Sequence, residues 1–320
     1  MIQKNKRPCG LGRDAFWQSE RNVKKMPDEK AMEFFKTLRE ERFKSWEEMF
    51  AQLESRGIEI VDLWDGNCPG FDPAYGQKPP RLAVYPAHEK PVGSFIIAAG
   101  GAHLFKSYNE AMPVADYFWN KGFHTAIIDY RVDPYTNADS CRDGCRAVRY
   151  LRANAGKYNI LPDKIAFGGF SAGGMLTGEV ATHFDAGNPD AADPVERVSS
   201  RPDAALELYG SFDNAASMAS ALGYDPAKQR ELAAMSPSCN LSPDCPPFFL
   251  METLADDPRS VLGFAEKLSM FGIPFALHLF QGGAHGQGLY DGKYEVEDVP
   301  HTAKWAELAA DWLEDLGFLG

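Results

Sequence analysis

A chain of 320 residues with 44% hydrophobic side chains is long enough to bury the core of one large domain, or of one domain with an extension. Its 33 basic and 45 acidic residues give a formal charge of -12, which argues against nucleic acid as a partner and favours a neutral or weakly charged substrate. No stretch approaches the roughly 18 uninterrupted apolar residues that a membrane span needs, so we expect no membrane partner.

The N-terminus and the cysteines carry no sign of a leader or a metal. Residues 1–8 are basic, but no hydrophobic segment follows them, and this pattern predicts a cytoplasmic protein. The six cysteines contain no C-x-x-C pair and no histidine at ligand spacing, so they indicate neither a zinc site nor a redox pair. Cys141 and Cys145 would share one side of a helix, and we interpret them as buried free thiols.

A charged helix pattern opens the interpretable part of the chain. In residues 28–56, apolar side chains recur mostly at three- or four-residue steps, and Gly57 fits a C-cap. We expect the apolar stripe to pack on the rest of the chain or on a second subunit, which would make a homo-oligomer; a role in shaping the substrate cleft is the alternative. We therefore interpret residues 1–57 as an N-terminal helical extension.

Strand and helix patterns alternate in most of the remaining chain. The strand patterns cover residues 58–64, 81–85, 92–99, 124–129, 164–168, 203–209, 248–252 and 275–280. The helix patterns cover residues 108–120, 139–155, about 172–182, 259–271 and 302–316. This order predicts an α/β fold with a mostly parallel central sheet and helices on both faces. Ligands of such sheets bind beyond the carboxyl ends of the strands, so we expect the chemistry in the loops that follow strands.

Residues 168–174 read G-G-F-S-A-G-G and directly follow one of these strand patterns. The G-x-S-x-G core is typical of a strand-turn-helix elbow that presents a serine, here Ser171, in a strained backbone conformation. A side chain two residues away on either side would collide with the strand or the helix, which explains the glycines. Gly-rich turns also simply join helices to sheets, so a nucleophile additionally requires a base, an orienting carboxylate and an oxyanion hole.

The predicted base is His285. In proteins built on this elbow the chain order is nucleophile, acid, histidine, which leaves His183, His278, His285 and His301. His183 would lie at the far end of the elbow helix, His278 inside a strand, and His301 at the start of the last helix. His285 stands in a glycine-flanked loop directly after the last strand, where a base can reach a hydroxyl on a neighbouring strand. The alternative is an ordinary surface histidine.

The orienting carboxylate should lie in the loop after the preceding strand, where Asp256 and Asp257 both qualify by position. We favour Asp256 as the acid, with Asp257 as the alternative. The other aspartate would cap the helix that begins near Pro258.

The oxyanion hole requires two backbone N–H groups that point at the reacting carbonyl. Ala172, which follows the serine, is one predicted donor. The other is Gly101 or Ala102, because residues 100–103 leave the first buried strand and contain two glycines. An ordinary tight turn is the alternative, but it would not need both glycines.

Taken together, these motifs resemble the α/β-hydrolases, and more narrowly the carbohydrate-esterase-like branch that includes acetylxylan and feruloyl esterases. The resemblance extends over roughly residues 92–320, and its carriers are the segments 99–102, 129–131, 146–152, 165–174 and 283–286. It implies an α/β-hydrolase catalytic domain over residues 58–320. The chain departs from the family in the oxyanion loop, which has Ala102 in place of a third glycine, and after the acid, where residues 259–261 replace a common Val-Pro.

The resemblance implies a serine carboxylester hydrolase that removes short acyl groups, such as acetyl, from a carbohydrate such as xylan oligosaccharides, with no metal or cofactor. The alternatives are a prolyl-oligopeptidase-like peptidase or aminopeptidase, whose family usually carries a further large domain, and a non-catalytic binding protein on the same fold. Residues 211–247 would form part of the cleft wall or a plain connection; their larger apolar members are Met218, Leu222, Tyr224 and Met235.

Overall fold

A computed structural model of the chain describes residues 28–213 and 226–320. Within these ranges eight strands form one sheet: β1 (Glu59–Asp62), β2 (Arg81–Val84), β3 (Val92–Ala98), β4 (His124–Asp129), β5 (Ile160–Phe170), β6 (Ala204–Leu208), β7 (Phe248–Thr253) and β8 (Phe275–Phe280). Their order across the sheet is β1-β2-β4-β3-β5-β6-β7-β8. All neighbours from β4 to β8 are parallel, whereas β2 pairs antiparallel with both β1 and β4. The predicted α/β class and the mostly parallel sheet are confirmed.

The helices in the described ranges are α1 (Asp28–Ser55), α2 (Met112–Asn120), α3 (Asn137–Ala153), α4 (Ala155–Tyr158), α5 (Ala172–Thr182), α6 (Pro226–Met235), α7 (Arg259–Phe271), α8 (Pro300–Ala303) and α9 (Trp305–Asp315). The predicted helix over residues 108–120 is in fact a 3-10 turn, Tyr108–Glu110, followed by α2. The break coincides with Pro113 in the first turn of α2. Proline is tolerated there because the first N–H groups of a helix have no acceptor within it, but proline cannot donate the hydrogen bond that would continue a preceding helix. The sequence interpretation missed α6 altogether. None of the helices in the described ranges is long and apolar enough to cross a membrane.

The sheet is covered on both faces, as β3 illustrates. Phe95 and Ile97 belong to one hydrophobic cluster with residues of α1, α2 and α9, and Ile96 and Ala98 belong to another with residues of α3 and α5. Successive side chains of a strand point to opposite faces, so the continuous apolar run of β3 fills two cores.

Helix α1 packs on the sheet rather than standing apart from it. Trp46, Met49, Phe50 and Leu53, at helical spacing, are at most 3% exposed and share a cluster with the sheet. Each such side chain contributes roughly 1.5–3 kcal/mol by leaving water. Gly57 ends the helix with φ +81°, as a left-handed C-cap requires. The expected packing on the rest of the chain is therefore confirmed for this part of α1, and a homo-oligomer through the helix stays a prediction.

The two neighbouring thiols of α3, Cys141 and Cys145, are buried and free, as the sequence predicts.

Candidate active site

Ser171 lies between the end of β5 and the start of α5, in a backbone conformation that few side chains adopt. Its φ is +52° and its ψ is -116°, a strained region that costs about 1–3 kcal/mol. A Cβ on Gly169 would lie 2.4 Å from the carbonyl oxygen of Gly173, and a Cβ on Gly173 would lie 2.1 Å from the carbonyl oxygen of Ala98. Only glycine fits at these two positions, so the surrounding backbone holds the elbow in its strained form.

A chain of two hydrogen bonds joins Ser171 to an imidazole and a carboxylate. His285, in the loop after β8, has its Nε2 2.8 Å from Ser171 Oγ and its Nδ1 2.7 Å from Asp256 Oδ2. Because the carboxylate accepts, Nδ1 carries the proton and Nε2 is free to accept from the serine hydroxyl. The arrangement can therefore take the hydroxyl proton as the oxygen attacks an electrophile.

Asp257 points away from this chain. Its Oδ1 accepts the N–H of Arg259, the first residue of α7, at 3.1 Å, and its carboxylate pairs with the guanidinium of the same arginine. That hydrogen-bonded guanidinium lowers the pKa of Asp257 to about 2. Of the two aspartates that the sequence left open, the geometry brings Asp256 to His285 and leaves Asp257 bonded to Arg259. The N-cap of α7 is Pro258 rather than an aspartate.

The predicted oxyanion loop, residues 100–103, lies directly against the serine. A Cβ on Gly100 would lie 2.8 Å from Ser171 Cβ. The backbone N–H of Gly100 donates to Glu110 Oε2 at 2.8 Å. Gly101 has φ +139° and Ala102 has φ +55°. Within residues 28–213 and 226–320, no hydrogen bond engages the N–H of Gly101 or of Ala102. The N–H of Ala172, at the start of α5, has no intrahelical acceptor, so all three predicted donors are available to a ligand.

The pKa of His285 is raised above the ordinary histidine value. Burial by itself lowers it, but the hydrogen bond and the charge of Asp256 act in the other direction, together with the charge of Glu110 and, once it ionises, that of Glu252. The surroundings thus favour the imidazolium that forms when His285 takes a proton.

Two residues that the sequence interpretation missed, Glu110 and Tyr209, border the imidazole. Glu110 Oε1 accepts from the hydroxyl of Tyr209 at 2.8 Å, and the Tyr209 ring centroid lies 4.9 Å from that of His285. Tyr209 directly follows β6, and its position after a strand is the signal that could have pointed to it. Glu110 falls inside a predicted helix, where no local pattern distinguishes it.

A second buried carboxyl group lies beside Asp256. Glu252, near the end of β7, is 3% exposed. Burial, followed by the charge of Asp256, raises its pKa to about 8. Glu207, buried on neighbouring β6, has its pKa raised by burial and by the charge of Glu252. With a pKa of about 8, Glu252 is mostly protonated at neutral pH.

The remaining sequence-predicted features lie elsewhere or cannot be described. His183 directly follows α5, His278 lies in β8 and His301 lies in α8. Met235 packs, half-buried, against the cluster of α3 and α5, whereas Met218, Leu222 and Tyr224 lie outside the described residues.

Other candidate sites are weaker. In the described ranges, no three His, Cys, Asp or Glu side chains are grouped so as to hold a metal ion. A cavity of about 200 Å³ between α1 and the 76–78 loop is bordered by Lys106 and Asp129, which pair with each other, and it contains no member of the Ser171 chain.

Comparison with known proteins identifies the family. Residues 82–261 match the model of the BD-FAE family, which is more than half of the chain. The chain belongs to the BD-FAE family. This membership confirms the predicted resemblance.

Three relatives of this BD-FAE member are informative. The acetyl ester-xyloside bifunctional hydrolase from Caldicellulosiruptor lactoaceticus is 34% identical, with a TM-score of 0.75 over 82% of this chain and 97% of that one. An α/β hydrolase from a Medee basin deep-sea metagenome library is 25% identical, with a TM-score of 0.62 over 81% and 97%. Endo-1,4-beta-xylanase B from Butyrivibrio fibrisolvens is 30% identical over 262 residues, which are 74% of this chain and 40% of the xylanase. The α/β-hydrolase fold is thereby confirmed.

The chain spans 40% and 48% of the lengths of the curated relatives that it matches. All three relatives described above carry the name of a hydrolase or of a glycan-degrading enzyme, as the resemblance implies.

Proposed function

We propose that this BD-FAE member is a serine carboxylester hydrolase that removes short acyl groups, above all acetyl, from a carbohydrate such as xylan oligosaccharides. The observation that carries the proposal is the hydrogen-bonded chain from Ser171 through His285 to Asp256, with links of 2.8 and 2.7 Å. These groups follow β5, β8 and β7, at the carboxyl ends of parallel strands where ligands of such sheets bind. The likeness to an acetyl ester-xyloside hydrolase supports the substrate class.

In the proposed reaction, Ser171 Oγ attacks the ester carbonyl carbon while His285 Nε2 takes the hydroxyl proton. Asp256 holds the imidazole in the required tautomer and stabilises the imidazolium. The N–H groups of Ala172 and of Gly101 or Ala102 bind the oxyanion of the tetrahedral intermediate.

When that intermediate collapses, the bond between the carbonyl carbon and the sugar oxygen breaks, and His285 returns its proton to the leaving sugar hydroxyl. Water, deprotonated by His285, then attacks the acyl-enzyme. The second collapse releases the acid and restores the Ser171 hydroxyl. Every proton is carried by the protein and water, so the scheme needs no cofactor or metal.

The net charge agrees with such a substrate. An acetylated xylo-oligosaccharide is uncharged, so a chain of charge -12 does not repel it. A product such as acetate is anionic and is repelled, which favours its release.

The test compares three kinds of substrate on the purified protein: aryl esters from acetyl to octanoyl, acetylated xylo-oligosaccharides, and an aminoacyl anilide. We expect the highest kcat/KM on acetyl esters and release of acetate from the oligosaccharides. Activity confined to the anilide would replace the esterase proposal with a peptidase.

The matched variants for this test are Ser171→Ala and Ser45→Ala. Ser45 lies on α1, where its hydroxyl bonds only within the helix. Loss of the nucleophile lowers kcat by about 10⁴- to 10⁶-fold, whereas Ser45→Ala leaves it unchanged. Ester turnover by Ser171→Ala close to that of the wild type would overturn the mechanism, and an inactive wild type would favour a binding protein.

A further inference from the structure

The carboxylate of Glu110 connects two segments that the proposed reaction requires. Its side chain is buried, at 2% exposure, in the 3-10 turn Tyr108–Glu110. Oε2 accepts the N–H of Gly100, the first residue of the oxyanion loop, at 2.8 Å, and Oε1 accepts the hydroxyl of Tyr209, also at 2.8 Å. Each oxygen therefore holds a different part of the fold.

Tyr209 carries the connection on to the histidine loop, residues 281–288. Its hydroxyl accepts the N–H of Gly288 at 2.9 Å, and its ring lies beside the imidazole of His285. The neighbour of Glu110 adds a parallel link, since Asn109 Nδ2 donates to the carbonyl oxygen of Gly286 at 3.1 Å. The turn that contains Glu110 thus contacts the histidine loop at residues just beyond His285.

We propose that Glu110 is a positioning residue, which through Gly100 and Tyr209 fixes the oxyanion loop and the histidine loop relative to each other. This inference rests on the proposed serine-hydrolase function. The N–H groups of Gly101 and Ala102, the proposed oxyanion donors, come immediately after the peptide that Glu110 holds. These contacts lie in a buried region, where water cannot replace a lost partner without rearrangement.

The charge of Glu110 gives the proposal a readout that a merely structural residue would not move. The ionisable groups that face His285 are Asp256, Glu110 and Glu252. A negative charge on any of them raises the pKa of His285 against the opposing effect of burial, and Glu252 carries that charge only once it ionises, near pH 8. Tyr209, which packs beside the imidazole, and Tyr290, which packs against Tyr209, are buried neutral phenols. A neutral amide at position 110 keeps the shape of the side chain but removes one of the charges.

The experiment compares Glu110→Gln, Tyr209→Phe and a control, Glu314→Gln, which removes the same charge from an exposed site on α9. The readouts are kcat and KM on an aryl acetate over a range of pH, the rate of labelling of Ser171 by a fluorophosphonate, and the unfolding midpoint. Steady-state rates are expressed per labelled serine, so that unfolded protein does not count.

We expect both Glu110→Gln and Tyr209→Phe to lower kcat by about 10- to 100-fold with little change in KM, as misplacement of reacting groups does. The acid limb of kcat/KM moves to lower pH in Glu110→Gln, because the histidine loses a neighbouring negative charge. In Tyr209→Phe the acid limb does not move down, because the Glu110 charge remains. Glu314→Gln matches the wild type.

A kcat of Glu110→Gln within about twofold of the wild type, or an acid limb that does not move, overturns the inference. If Glu110→Gln does not fold, Tyr209→Phe decides by itself, and an unchanged kcat in that variant overturns the connection. A wild type that neither hydrolyses esters nor reacts with the fluorophosphonate overturns the proposed function, and the inference with it.

Discussion

Separate exchange of Asp256 and of Asp257 for asparagine gives the sharpest test of the proposed site, because the two residues are adjacent in the chain but their carboxylates have different hydrogen-bond partners. Asp256 Oδ2 lies 2.7 Å from His285 Nδ1, whereas Asp257 bonds to Arg259 at the surface. An asparagine at 256 is able to donate from its amide to Nδ1. The imidazole proton then moves to Nε2, which no longer accepts from Ser171.

The wrong tautomer lowers kcat by about 10⁴-fold in a hydrolase of this mechanism. At about 1.36 kcal/mol for each factor of ten, this is about 5.4 kcal/mol of transition-state stabilisation. Asp257→Asn leaves the His285 tautomer untouched, so we expect kcat/KM within about twofold of the wild type and a slightly lower unfolding midpoint from the weakened bonds to Arg259.

The assay is steady-state hydrolysis of an aryl acetate at several pH values, with the serine content of each preparation titrated by a fluorophosphonate. A large loss in Asp257→Asn together with near-normal activity in Asp256→Asn would refute the assignment of the acid. Equal and small losses in both variants would refute the role of an orienting carboxylate altogether.

Three further predictions concern the surroundings of the serine. In Gly100→Ala, the new Cβ would lie 2.6 Å from the carbonyl oxygen of Phe170, so the oxyanion loop must shift and kcat on an aryl acetate should fall about 10²-fold. The control is Gly263→Ala in α7, where a Cβ meets nothing within 4 Å and kcat should not change. The pKa of His285 is raised above 6.5, so kcat/KM should fall as the pH drops through that raised value, and an acid limb centred below 6.5 would contradict the argument. The stability that its partners give the charged imidazole should be present below pH 6.5 and disappear as the pH rises through the pKa of the folded state. Glu252 has a pKa of about 8 in the folded protein against 4.5 ordinarily, so the folded state binds more protons between these values and the free energy of unfolding should fall as the pH rises from 4.5 towards 8. Urea titrations of Glu252→Gln at pH 5 and 8 should show a smaller fall. A fall equal to that of the wild type would count against a protonated Glu252.

Much of the fold could be predicted because its elements have strong local signals. The strand over residues 124–129, the helix over 259–271 and the strand over 275–280 coincide with β4, α7 and β8. Each is bounded by a proline, glycine or polar turn and has a clear apolar pattern. The segment that became α6 has a weak apolar pattern and lies in an irregular stretch of the chain, so local reasoning gave it no helix.

The positions of Ser171 and His285 also followed from the sequence, because the parallel sheet brings the loops after its strands to one edge. The choice between Asp256 and Asp257 did not follow. Both lie in the same loop, and what separates them is the direction of two side chains, one of which is engaged by Arg259. Glu110 and Tyr209 are 99 residues apart, so no local pattern could indicate that their hydrogen bond exists.

The carboxyl groups around His285 have different roles in the proposed chemistry. Asp256 must be charged to hold the imidazole, and its charge, after burial, is what keeps Glu252 protonated up to about pH 8, because two neighbouring carboxylates in a buried site cannot both ionise cheaply. Glu110 receives two hydrogen bonds of its own, from Gly100 and Tyr209, and these stabilise its charge. The charges of Asp256 and Glu110 thus both favour the imidazolium, while Glu252 remains a mostly neutral neighbour at neutral pH. Loss of the Glu110 charge should therefore alter the acid limb of the pH profile, and ionisation of Glu252 should alter only the alkaline side.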